Sequence, residues 1–219
     1  LRRRGSVANV AAYVGHSSVR TYVMGADAAQ REATAAEIAQ MQAIVRDAMA
    51  HGAVGFASST SPAHNGEGGL PMPSRLASND EMAALVGAMG ESGRGIYMLT
   101  KGAHTRIAFL ESLAAATGRP VMVAALLHNS VAPRAVFDDL DAIAAANVRG
   151  HRLLGQVSCC ALTMDFTLAS PYPVEGLASW RPALGRSGAE LQAVLADRAF
   201  RDGVRAELET ATTFRLFNS

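Results

Sequence analysis

The sequence has little cysteine, little aromatic content and almost no net charge, and each shortage excludes a class of protein. Its two cysteines are adjacent, at Cys159 and Cys160, so they cannot form a disulfide framework or a zinc ribbon. We therefore expect a reducing, cytoplasmic compartment and buried, structural thiols. Lys and Arg number 20 against 19 Asp and Glu, which argues against a nucleic-acid partner. Because no apolar run reaches the ~18–20 residues of a membrane helix, we expect no membrane partner either.

Apolar side chains are abundant, at 49% of the sequence, and they recur as short runs followed by helical patterns. The runs occupy residues 10–14, 53–57, 96–100, 121–127 and 153–157. Alternating strands and helices predict a parallel α/β sheet with right-handed crossovers, and unbroken apolar strands predict that both faces of the sheet are covered. An open doubly wound sheet and a (β/α)8 TIM barrel with missing strands both fit. Because the first residue is Leu1, we expect a piece of a longer protein, which favours the barrel.

Helix signals separate the apolar runs. Thr34 with Glu37, and Ser78 with Glu81, are spaced as capping boxes that begin helices. Further helices are predicted at about 105–117, 133–146 and 189–209, whereas the residues that follow the first run are read as a turn. Residues 161–186 contain three prolines and predict an irregular, Pro-rich insertion within one partial barrel domain that spans 1–219.

Two segments at the carboxyl ends of predicted strands are candidates for substrate binding, because barrel active sites lie at those ends. His16 follows the first run, and a loop of ~20 residues that contains His64 and Arg75 follows the second, far longer than the usual ~2–6 residues. Arg75 has the forked donor geometry that binds carboxylates. A histidine bonded within its own loop, and a solvated surface loop, remain open alternatives for these segments.

His104 and His128 follow the third and fourth runs and are weak candidates for metal ligands. The sequence has no HxH or HExxH motif, so a position at the start of a helix for His104 and a solvent-facing position for His128 are the favoured interpretations. It also lacks GxGxxG, P-loop and GxSxG motifs, which disfavours nucleotide cofactors and serine hydrolase chemistry.

Several segments resemble the N-acyl-D-amino-acid deacylase (D-aminoacylase) family of the amidohydrolase superfamily. They are NVAAYVGHSSVR at 9–20, DAMAHGAVGFASS at 47–59, PMPSR at 71–75, QVSC at 156–159 and FTLASPYP at 166–173. The resemblance implies a metal-dependent (β/α)8 barrel, of which this chain supplies about strands 3 to 7, with parallel strands and helices outside. It also implies a zinc cofactor whose ligands lie mostly outside this chain.

The resemblance implies hydrolysis of an amide C–N bond in N-acyl-D-amino acids or similar small molecules. We expect His16, His64 and Arg75 to bind the substrate because they follow the carboxyl ends of predicted strands. Two positions depart from the family: Lys101 stands where a metal-binding histidine is expected, and His128 lies three residues beyond the register of another. We therefore expect the chain alone to be inactive as a hydrolase, and we expect that it can form oligomers. The alternative is a non-catalytic barrel relative that binds a small carboxylate or serves as an interaction scaffold.

Overall fold

A sheet of five parallel strands organises the described part of the protein. The computed structural model describes residues 5, 8–102, 104–128, 132–160 and 163–210. The strands are β1 (Val14–Gly15), β2 (Gly55–Ser59), β3 (Ile96–Thr100), β4 (Val121–Ala124) and β5 (Leu153–Gln156), and they pair in the order of the sequence. In a doubly wound sheet, the order in which successive strands are added reverses partway across the sheet. The sequential order therefore fits a sector of a (β/α) barrel.

Seven α-helices accompany the strands in the described part of the chain. They are α1 (His16–Met24), α2 (Ala35–Ala50), α3 (Asn79–Gly90), α4 (Ile107–Thr117), α5 (Ala135–Val148), α6 (Gly188–Ala196) and α7 (Arg198–Thr210) among the described residues. Helix α1 lies where the sequence predicted a turn, so that interpretation was wrong. The buried face of α1 includes His16 and Arg20 as well as Val19, and these polar residues hide its apolar periodicity. The last predicted helix is two helices, which meet at Asp197.

The two faces of the sheet differ in burial. Side chains that point towards the helices, such as Phe56, Tyr97 and Val121, are fully buried. The opposite row runs in register through Ala57, Met98, Met122 and Leu154, and Leu154 is 42% exposed. The expectation that both faces are covered is therefore wrong for the described residues. In a barrel this second row faces the interior.

A second, smaller apolar cluster lies outside the sheet. It is formed by the short 3-10 helix Ala178–Ala183 together with α6 and α7, with Trp180 near its centre and Phe200 packed against that ring at 5.5 Å between centroids. Residues between 174 and 184 of the predicted insertion contribute to this cluster, whereas 161–162 lie outside the described residues. Within the part of the chain that the structure describes, no helix combines the length and apolar character needed to cross a bilayer.

Candidate functional site

The long loop after β2 folds back over the carboxyl edge of the sheet. The hydroxyl of Ser59, the last residue of β2, shares a hydrogen bond of 2.7 Å with Nδ1 of His64. The next residue, Thr60, bonds through its hydroxyl to Thr105, 2.8 Å away beyond β3. The backbone N–H of Gly102 also donates to the Thr60 hydroxyl. Loops that follow neighbouring strands are thereby joined at one edge, as expected for parallel strands.

His64 and Arg75 meet within this loop. Nη1 of Arg75 donates to the backbone carbonyl of His64 at 3.0 Å and to Oδ1 of Asn65 at 2.7 Å. The Asn65 side chain packs in turn against Gly176, where an added Cβ would lie only 2.7 Å from the Asn65 amide nitrogen. Asn65 therefore connects the guanidinium group of Arg75 to the Pro-rich segment. Two of the three predicted substrate-binding residues come together here.

The guanidinium of Arg75 is a cation without a counter-ion among the described residues. Burial lowers the pKa of Arg75, and burial together with the positive charge of Arg75 lowers the pKa of His64. The Nε and Nη2 edge of Arg75 has no hydrogen-bond acceptor in the described part of the chain. Two parallel N–H donors on that edge match the two oxygens of a carboxylate.

Three serines connect this loop to α1. The Ser17 hydroxyl donates to Oγ of Ser74 at 3.0 Å and accepts from the Ser74 backbone N–H at 3.1 Å. The Ser74 hydroxyl donates to the backbone carbonyl of Ser59 at 2.9 Å. Because Ser74 precedes Arg75 and Ser59 holds His64, both candidate binding residues are attached to the same buried group of serines.

His16 lies elsewhere, on the helix-facing side of the sheet. Its Nε2 is 2.8 Å from Oε1 of Glu81 and its Nδ1 is 2.8 Å from the Ser58 hydroxyl. Its ring packs on Phe56 with 5.1 Å between centroids, and its side chain is fully buried. Both ring nitrogens are occupied, so direct contact between His16 and a substrate stays a prediction that this geometry does not favour.

Glu81 also joins His16 to a buried cation, the guanidinium of Arg20. Nη1 of Arg20 donates to Oε2 of Glu81, and Nη2 donates to the backbone carbonyl of Arg31 at 2.7 Å. Burial alone would raise the pKa of Glu81, but hydrogen bonds from His16 and Arg20 outweigh it and lower that pKa. Burial dominates at His16 and lowers its pKa. The cluster therefore holds a neutral imidazole, a carboxylate and a guanidinium at neutral pH, with the His16 proton on Nε2 because a carboxylate can only accept.

Sequence reasoning missed the role of Glu81. The predicted capping box is half formed: the Ser78 hydroxyl accepts from the backbone N–H of Glu81, but the Glu81 carboxylate turns inward to the cluster. A usable signal was present, because Glu81 precedes Leu85 by four residues on the apolar face of α3. A charged residue on such a face requires a buried partner.

The weak metal candidates do not form a metal site. His104 and His128 are exposed, and no group of three or more His, Cys, Asp or Glu side chains within the described ranges could hold an ion. Cys159 and Cys160 are exposed thiols, which corrects the expectation that they are buried. They follow β5, the last strand in the order of the described sheet. The described residues thus do not fit the metal that the family resemblance implies.

Lys101 occupies the place at the end of β3 where the family resemblance led us to expect a histidine. Its ammonium group is 2.9 Å from Oδ2 of Asp139 on α5, and both side chains are largely buried. Because Asp139 lies on a helix, Lys101 joins β3 to the outer layer of the fold. The ion pair gives this position a role in packing.

Solved structures similar to this fold include D-aminoacylases. One, with a binuclear metal centre, is 28% identical with a TM-score of 0.54, over 69% of this chain and 30% of that chain. The chain resembles D-aminoacylase. A second structure, described as defining a novel subset of amidohydrolases, is also 28% identical, with a TM-score of 0.52 over 67% of this chain and 29% of the other. The resemblance inferred from the sequence, and the incomplete barrel fold, are confirmed.

A third structure supports the fold alone. N-acyl-D-glutamate deacylase from Bordetella bronchiseptica, complexed with zinc and a phosphonate inhibitor, is 22% identical with a TM-score of 0.53, over 70% of this chain and 31% of that chain. The match to the D-aminoacylase structures means that this chain spans about 30% of their length. No protein-family model matches the chain, and a search of the curated proteins gives no match.

Proposed function

We propose that the protein is an amidohydrolase that cleaves the amide C–N bond of N-acyl-D-amino acids or similar compounds. The fold similarity to D-aminoacylases, at 28% identity over about two thirds of the chain, supports this class of reaction. In the proposed enzyme, this chain forms one side of the barrel mouth and binds the carboxylate of the small-molecule substrate. Arg75 and His64 are the proposed contacts, and His16 contributes through the buried cluster beneath them.

The observation that carries the proposal is the partly buried guanidinium of Arg75. Its Nη1 group is held by His64 and Asn65, so the position of its remaining N–H edge is fixed before a ligand arrives. A cation shielded from water gains more from a bound anion than an exposed one does. A preorganised fork that lacks a protein carboxylate among the described residues is therefore suited to a carboxylate ligand.

The D-aminoacylase neighbour has a binuclear metal centre, and the proposed reaction requires a metal to polarise the amide and activate water. His104 and His128 are not brought together with other ligands in the described part of this chain. The proposal therefore assigns no metal to these residues and places the metal ligands outside them.

Titration calorimetry with N-acetyl-D-alanine tests the binding role of the chain. We expect binding to the unaltered chain, a loss of affinity of about tenfold or more in Arg75→Ala, and no change in Arg134→Ala, whose side chain is 78% exposed. N-acetyl-D-alaninamide, which lacks the carboxylate, should bind far more weakly. Equal binding of the two compounds, or unchanged binding in Arg75→Ala, contradicts the proposal.

A non-catalytic barrel that binds small carboxylates is the second candidate, and the ion pair of Lys101 with Asp139 favours it. This pair uses in packing a position that the family resemblance assigns to a metal ligand. Metal analysis of the intact protein purified from its native source separates the two candidates. Bound zinc supports the enzyme, and metal-free protein that still binds N-acetyl-D-alanine supports the carboxylate binder.

A further inference from the structure

The serine group between α1 and the loop determines where the guanidinium of Arg75 lies. We propose that Ser17 and Ser74 are positioning residues for carboxylate binding, an inference that rests on the proposed role of Arg75. Neither serine is proposed to touch the ligand. They act by fixing the backbone from which Arg75 projects and the strand end that holds His64.

The first step of the argument is burial. Ser74 is 1% exposed although it belongs to a polar loop, and Ser59, at the end of β2, is 6% exposed. Buried hydroxyl groups are costly unless they are hydrogen-bonded. Ser74 is bonded through both its hydroxyl and its backbone N–H, so this loop position has one strongly favoured geometry.

The second step is connectivity. Ser74 lies within the short 3-10 helix Pro73–Leu76, so the residue after it cannot move without moving Ser74. The Ser74 hydroxyl holds the carbonyl of Ser59, whose own hydroxyl meets His64 at 2.7 Å. Arg75 completes this hydrogen-bond network by donating to the carbonyl of His64. A displacement at Ser74 therefore reaches both proposed ligand contacts.

The third step is the anchor. Ser17 is on the first turn of α1, next to His16, whose ring is bonded to Glu81 on α3. Arg20, one turn later, bonds to the same carboxylate. Because two residues of α1 bond to one carboxylate on α3, Ser17 is a fixed point against which the loop is set.

A double-mutant cycle tests this positioning role by calorimetry with N-acetyl-D-alanine. Ser74→Ala should weaken binding by about tenfold, and Ser17→Ala should weaken it by about threefold. Ser112→Ala, which alters an exposed serine bonded within α4, should leave binding unchanged. Arg75→Lys keeps the charge but loses the fork, so its residual binding stays measurable. In the Arg75→Lys background, Ser74→Ala should weaken binding by less than about twofold, because Ser74 acts by positioning the two parallel N–H groups of Arg75 that lysine lacks.

The outcomes separate this inference from the proposed function. If Arg75→Lys binds as tightly as the unaltered chain, the carboxylate role of Arg75 is wrong. If Arg75→Lys binds weakly but both serine variants, folded by circular dichroism, bind normally, the positioning role alone is wrong. A loss from Ser74→Ala that is as large in the Arg75→Lys background as in the unaltered chain assigns the serine a purely structural role and also contradicts the inference.

Discussion

Glu81 places a negative charge inside the contact between α1, β2 and α3, where it is completely shielded from water. Transfer of a carboxylate to such a site is expensive, and the cost is offset only by the two bonds from His16 and Arg20. The cluster therefore specifies how the three elements pack, because any other packing would leave a buried charge without its partner.

Replacement of Glu81 by Gln tests this cluster. Glu81→Gln leaves the guanidinium of Arg20 buried without a counter-ion, and we expect a loss on the order of 3–5 kcal/mol in the free energy of unfolding. Glu91→Gln breaks only the exposed pair with Arg46 and should change stability little. Urea unfolding followed by circular dichroism measures both. Equal effects of the two substitutions would show that the buried cluster contributes no more to the free energy of unfolding than an exposed ion pair does.

The lowered pKa of His16 predicts that the protein becomes less stable as the pH falls. The unfolded chain protonates this histidine near its ordinary pKa of 6.5, whereas the folded chain resists protonation, so acidification below about pH 6.5 favours unfolding. His64 acts in the same direction, and the lowered pKa of Glu81 adds a further loss below about pH 4.5.

Thermal unfolding of His16→Gln between pH 7.5 and 5 measures this effect. The variant should lose less stability across that range than the unaltered chain, with part of the dependence retained through His64. His51→Gln, which alters an exposed histidine at the end of α2, should keep the full dependence. A pH dependence that is the same in all three proteins would rule out protonation of His16 as the cause.

At the scale of elements, the loops that follow β2 and β3 approach each other so closely that a side chain at Gly102 has no room. A Cβ at Gly102 would overlap the backbone carbonyl of Thr60, and the Gly102 backbone N–H donates to the Thr60 hydroxyl. A glycine is required here because of this close backbone approach.

Gly102→Ala should therefore destabilise the chain by about 1–3 kcal/mol, because the loops must separate and the bond between Thr60 and Thr105 must lengthen. Gly87→Ala is the matched control. Its Cβ would meet nothing within 4 Å on α3, and alanine in a helix should stabilise by about 0.5–1 kcal/mol. Denaturant unfolding gives both values, and a neutral Gly102→Ala would mean that the close approach is not maintained in solution.

The elements differ in how well the sequence predicts them. The apolar run at Ile96–Thr100 is β3 as predicted, and the capping box of Thr34 and Glu37 begins α2 as predicted. Helix α1 was missed because its buried face carries charged and polar groups, whose partner Glu81 is 61 residues from Arg20 in the sequence. Hydrophobic periodicity detects burial against apolar neighbours and cannot detect burial against a distant counter-charge.

The candidate site shows the same division. Strand-end position and loop length were enough to select His64 and Arg75, which the structure brings together. The same reasoning placed His16 with them, yet His16 lies on the other face of the sheet, because its position depends on the start of α1. The serine contacts across 57 residues of sequence were beyond any local pattern.

At the scale of the whole molecule, the sheet has two open edges and one open face among the described residues. β1 pairs only with β2, and β5 pairs only with β4, within that part of the chain. Leu154 and Val157, at the β5 edge, are 42% and 59% exposed. Exposed strand edges with apolar side chains promote association.

We therefore expect the chain to self-associate through this edge. Sedimentation velocity should detect dimers or larger species, and the double variant Leu154→Lys with Val157→Lys should shift the population towards monomer. Val148→Lys, at the end of α5 and 89% exposed, should leave the distribution unchanged. A monomeric chain across the micromolar range would contradict this expectation.

The central claim is that the carboxyl edge of this barrel sector binds a carboxylate through Arg75 beside His64. The most direct measurement is a side-chain NMR titration of the chain with N-acetyl-D-alanine, in which the His64 imidazole and the Arg75 guanidinium are followed together. The account predicts saturable shifts of both groups, none at His51, and much smaller shifts with N-acetyl-D-alaninamide. Saturable binding that leaves His64 and Arg75 unshifted would contradict the account.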